Sequence, residues 1–134
     1  MNWKLILQLS MFGLAMSIAT VYVIPSNIEP FVWLAIFIFC AWIMARRLPS
    51  RHFVHGVMIG IVNSLWITTA HIILFDDYMS THAAEAQSMQ QLPLTPRIMM
   101  AITGPIIGVI SGVVLGLFAF VASKILNQPA PQKS

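Results

Sequence analysis

Three observations predict the fold class of this sequence: an all-α, polytopic membrane protein of four transmembrane helices in an up-and-down bundle. First, residues 5–24, 28–45, 57–75 and 98–125 are apolar runs, each long enough to cross a hydrocarbon core of roughly 30 Å at about 1.5 Å per helical residue. Second, 58% of the residues are hydrophobic and only 8% charged, a balance that belongs in a bilayer. Third, the charges sort by side. Four spans place Lys4, Arg46, Arg47, Arg51, Lys124 and Lys133 on one side, and Glu29, Asp76, Asp77, Glu85 and Arg97 on the other. Basic loops stay in the cytoplasm, so both termini are expected there, with Arg46, Arg47 and Arg51 as the topogenic cluster.

The 134 residues form one predicted domain, 1–134, with no room for a separate soluble unit. The net charge of +3 is the charge of membrane-flanking loops meeting lipid headgroups, so the bilayer and not nucleic acid is the expected partner.

The first span holds about 20 apolar residues behind a single Lys4. That is long for the apolar region of a cleaved leader, so it is expected to remain as a helix. Pro25-Ser26-Asn27 ends it, and Pro30 suits the first turn of the next helix. This link is expected to be too short to hold a site. The second span carries Phe31, Trp33, Phe37, Phe39 and Trp42, a surface suited to lipid, and a lone Cys40 that reads as a packing residue. Trp3, Tyr22, Trp33 and Tyr78 fall near the boundaries, where amphipathic rings settle.

The third span differs in kind. Gly56, Gly60, Ser64, Thr68 and His71 recur at helical spacing, with Asn63 beside them, giving one small and polar face. Polar groups facing lipid would lose their hydrogen bonds, so Asn63, Thr68 and His71 are expected to face protein. The helical pattern continues outside the bilayer over about 76–91, until Pro93 and Pro96. The fourth span sets Gly104, Gly108, Gly112 and Gly116 at intervals of four, a glycine zipper that lets another backbone approach closely. Its partner is either the Gly56, Gly60, Ser64 stripe of the same chain, a second copy, or a larger membrane protein. Pro105 removes one helical hydrogen bond and predicts a bend.

The stretch from Gly56 through Phe75-Asp76-Asp77-Tyr78-Met79 to Met89, then Thr95-Pro96-Arg97 and Gly104-Pro105-Ile106-Ile107-Gly108 into Ala122-Ser123-Lys124, resembles small four-helix bacterial membrane proteins of the domain-of-unknown-function 4199 group. The likeness covers roughly the C-terminal 80 residues. It implies a bacterial inner membrane and assigns no activity, cofactor or site residue.

The densest set of chemistry-bearing residues follows the third span. On one continuous helix His71, Tyr78, His82, Glu85 and Met89 would share a face, and His71, His82 and Glu85 are the candidate ligands of a Zn or Cu ion. The plainer reading is a solvated acidic loop with a surface His82. His71, the one histidine inside a span, is either a structural hydrogen-bonding residue or part of a proton path. No Ser-His-Asp set, HExxH or phosphate-binding glycine loop is present, and the interiors of the spans carry no Asp, Glu or Lys. Neither an enzyme nor a cofactor is expected. The sequence is read as an accessory or assembly protein that works through helix packing on its glycine seam and polar stripe. A small homo-oligomeric channel or permease and an external metal-binding protein are the alternatives.

Overall fold

The computed structural model describes residues 1–126. Lys133, counted above among the basic charges, lies outside them. Among the described residues the chain is all-helical: α1 (Trp3–Tyr22), α2 (Glu29–Arg47), α3 (His52–Ile73), α4 (Phe75–Thr81), α5 (Ala83–Gln90) and α6 (Pro96–Leu126). Helices α1, α2, α3 and α6 are each long and apolar enough to cross a membrane. At 31 residues, α6 is about 46 Å long, well beyond one hydrocarbon thickness, and it runs through Pro105.

Local chemistry sets the helix ends. The Asn2 side chain accepts the Leu5 N–H and caps α1. Glu29 and Pro30 open α2, a carboxylate and an imino residue both suited to a first turn, and Arg46 and Arg47 close it against the negative end of the dipole. Arg51 precedes α3 in the left-handed region, with φ 59°.

Helix α3 is the centre of the packing. Along one face it lies on α6 in antiparallel register. A Cβ on Gly56 would strike the backbone of Gly116, and one on Gly60 would strike Gly112. Gly108 lies against Ser64 and Gly104 against Thr68. Alongside that face α3 meets α1 running parallel to it: Asn2 bonds His55, Gly13 abuts Asn63 and Thr20 bonds His71. Helix α2 packs mainly on α6.

The apolar core lies towards the end of the molecule where α2 finishes and α3 begins. Leu5, Ile6 and Leu9 of α1 meet Cys40, Ala41 and Met44 of α2, with Ile59 and Leu115 beside them. Ile6, Met44, Ile59 and Leu115 are fully enclosed. The outer surface is apolar as well. Leu7, Ile18, Phe31, Ile38, Ile73 and Ile110 are each about half exposed or more, the pattern of helices that face lipid. Lys4, Arg46, Arg47, Arg51 and Lys124 gather at the core end, and Glu29, Asp76, Asp77, Glu85 and Arg97 at the other.

The segment after α3 is helical in two short pieces, not one extension. Leu74 (φ −95°, ψ 34°) and His82 (φ −122°, ψ 62°) leave helical geometry. The chain therefore folds back over α1. Tyr22 donates to Asp77 at 2.8 Å, the Thr81 hydroxyl donates to the Val21 carbonyl at 2.8 Å, and Ser26 donates to Glu85 at 2.5 Å.

Candidate functional site: a cavity beneath the short helices

At the α4–α5 end the packing opens. A cavity of about 610 Å³ lies between α2, α3 and α6, with Tyr78 of α4 and Met89 of α5 at its mouth. This volume is in the range of small-molecule sites. At its Phe37 and Phe118 end it abuts the apolar core of Ile59, Leu115 and Met44.

Its walls follow from the sequence of each helix. Every fourth or third residue of α2, Pro30, Trp33, Leu34 and Phe37, turns an apolar or aromatic side chain inward, and Phe118 of α6 meets Phe37 edge-on at 6.5 Å between ring centroids. Across from this wall stand Asn63, Ser64, Thr68 and His71 of α3 and Thr103 and Ser111 of α6. The polar stripe thus lines a cavity within one chain. The second span, expected to offer only lipid contact, does so through Phe31, Phe39 and Trp42, but supplies a cavity wall through Trp33 and Phe37. The short α1–α2 link, expected to hold no site residue, places Ser26 on the rim, with Glu29 of α2 beside it.

Most of the polar groups point their protons elsewhere. The hydroxyls of Ser64, Thr103 and Ser111 donate to the carbonyls of Ile61, Met99 and Ile107 at 2.8 Å each, as small hydroxyl residues do in helices. Trp33 donates its indole N–H to Glu29 at 3.1 Å. Buried Asn63 and half-buried Thr68 have side-chain oxygens, Oδ1 and Oγ1, without a hydrogen-bond partner. Such groups are few in folded proteins, and each is costly.

Above the cavity three rings stack. Tyr78 lies between His71, at 4.3 Å between centroids, and His82, at 4.2 Å. Thr20 donates to the Met16 carbonyl at 2.8 Å, so His71 donates its Nε2–H to Thr20 at 3.0 Å and keeps Nδ1 as an acceptor. His82 donates Nδ1–H to the Tyr78 carbonyl at 3.1 Å, which leaves a buried Nε2 without a partner. Burial, then the carboxylates of Glu85 and Glu29, push the Tyr78 phenol up to about 12, so it stays protonated at neutral pH. The hydrogen bond from Ser26 holds the Glu85 carboxyl below its usual range.

The metal candidates are distributed differently from the continuous-helix expectation. His71 and His82 are brought together but separated by the Tyr78 ring, while Glu85 turns to Ser26. Among the described residues no three His, Cys, Asp or Glu side chains converge on a metal position. His82 is not a surface residue; it is 4% exposed. The glycines of α3 and α6 are also consumed, since each seam covers the other. Thr20, Gly13, Glu29 and Phe118 complete the site, yet nothing in their spacing alone distinguishes them; they are placed by the pairing of α1 with α3 and of α2 with α6.

No family model matches the chain, and no curated protein or solved structure proves similar to it.

Proposed function

We propose that this is an integral membrane protein whose work is to bind a small amphipathic molecule in the cavity between α2, α3 and α6. The observation that carries this reading is the cavity itself: about 610 Å³, aromatic on one side and polar on the other, inside a chain this small. Well-packed helices leave few voids larger than a water molecule. A space of this size and lining suits an occupant with a polar head and an apolar body. The apolar core at its floor favours a binding protein over an open channel.

In the proposed setting the four long helices cross a bacterial inner membrane up and down. The basic end, with Arg46, Arg47 and Arg51, faces the cytoplasm, and the α4–α5 end faces outward. The glycine zipper holds α3 to α6 inside each chain.

The test is saturable uptake of N-phenylnaphthylamine, a neutral apolar fluorophore, by the protein in phosphatidylcholine nanodiscs, with empty discs subtracted. One fluorophore per chain is expected, together with its loss in Ser111→Trp, which fills the cavity from the α6 side. Uptake no greater than in empty discs, or unchanged in Ser111→Trp, would overturn the reading.

A further inference from the structure

The chemistry of the lining is one-sided. Among the described residues Glu29 is the one charged residue that touches the cavity, and neither Lys nor Arg lines it. Glu85 stands beside the rim, held there by Ser26. Arg97, the one Lys or Arg at this end among the described residues, is turned to Asp76 at 4.0 Å and to the Phe75 ring at 4.7 Å.

Hydrogen bonding has the same bias. Ser64, Thr103 and Ser111 direct their protons to their own helices and present oxygen lone pairs. The His71 ring, bonded to Thr20 through Nε2, keeps Nδ1 as an acceptor. Against these acceptors, Thr68, Tyr78 and the Asn63 amide are the lining groups that retain a proton to give. An anionic head would meet a carboxylate and a wall of lone pairs. A protonated amine would meet a counter-charge, several acceptors, and the rings of Trp33 and Phe37, which attract cations through their quadrupoles.

Resting on the cavity reading above, we infer that its ligand class is the lipophilic amine: a cationic N–H head placed at the Glu29 rim, with an apolar body laid against the Phe37 and Phe118 pair of the inner wall. The same head chemistry occurs in a free amphipathic amine and in an amino-headgroup phospholipid.

The experiment compares three probes with one body and different heads, phenylbutylammonium, phenylbutanol and phenylbutanoate, each displacing N-phenylnaphthylamine from the full chain in phosphatidylcholine nanodiscs. The ammonium is expected to bind at least tenfold more tightly than the alcohol and the carboxylate weakest of all. Glu29→Gln, which keeps an oxygen for the Trp33 indole, is expected to lower ammonium affinity at least tenfold. Replacing half the lipid with phosphatidylethanolamine separates the two sources. Weaker ammonium binding there assigns the site to the lipid headgroup, and undiminished binding assigns it to a free amine. Equal affinity for the three heads, or preference for the carboxylate, would overturn the amine assignment while bound N-phenylnaphthylamine upholds the cavity. Failure of the fluorophore to bind would remove both.

Discussion

Asn63 shows most directly how a single residue can be wrong for stability and right for a site. It is 5% exposed, pressed against Gly13, and its carbonyl oxygen has no partner. A buried acceptor left without a donor costs about 1–3 kcal/mol, and an apolar residue of the same shape avoids that cost. Asn63→Leu is therefore expected to raise the stability of the empty protein by about 1 kcal/mol, read as a higher Tm in detergent, while weakening phenylbutylammonium binding. A lower Tm would mean that the amide is satisfied in solution. Glu85 gives a second expectation at this scale. Its carboxyl lies below the usual range because Ser26 donates to it. A group depressed on folding contributes stability that is full above its unfolded pKa and is lost as pH falls through the folded value. The tie between α5 and the α1–α2 turn should thus weaken only on acidification below the ordinary carboxylate range. In Ser26→Ala the midpoint followed by carboxyl-carbon NMR should move upward; an unmoved midpoint would assign the depression to another cause.

Between the helices, the fold depends on the absence of side chains more than on their presence. Gly60 and Gly112 bring two backbones together with no space for a Cβ, so dispersion and weak C–H to carbonyl contacts accumulate along the seam. Gly112→Leu should cost about 3 kcal/mol or more, above the usual range for added methylenes because backbone cannot yield as a side chain does. It should show as a fall in Tm of the single chain, whatever the oligomeric state. Gly108 offers a sharper test, since what lies against it is the Ser64 side chain. Gly108→Ala should destabilise, and adding Ser64→Gly should recover part of the loss, because the swap returns one small group to each level of the seam. A double variant no more stable than Gly108→Ala would place these helices in another register. The spacing of Gly56, Gly60, Gly108 and Gly112 made close helix approach legible in the sequence, as hydropathy made the four long helices legible. Which helix met which was not. Trp33 and Phe37 differ in no sequence property from Phe31 and Phe39, and only the packing of α2 on α6 turns the first pair inward. The breaks at Leu74 and His82 were hidden for a related reason: neither residue is Gly or Pro, and the turns are set by the tertiary bonds of Tyr22, Thr81 and Ser26.

For the molecule as a whole, the two ends differ in packing as well as charge. The end that gathers Arg46, Arg47, Arg51 and Lys124 is closed by fully buried Ile6, Met44 and Leu115; the end that gathers Glu29, Asp77 and Glu85 holds the cavity and its short-helix cover. In the proposed orientation, with the basic end in the cytoplasm, the cavity mouth would lie in the outer leaflet, within reach of amphipathic molecules arriving from the lipid or from outside. Cysteine accessibility decides this orientation without disturbing the site. Cys40 is 1% exposed in the core, so Cys40→Ala gives a silent background. In that background, Ser88→Cys on α5 should react with a membrane-impermeant maleimide in intact cells, whereas Ser50→Cys in the α2–α3 turn should react only after the membrane is opened. The reverse pattern would put the arginines outside and the amine site at the inner face, and the ligand would then have to be sought among cytoplasmic amines and inner-leaflet lipids.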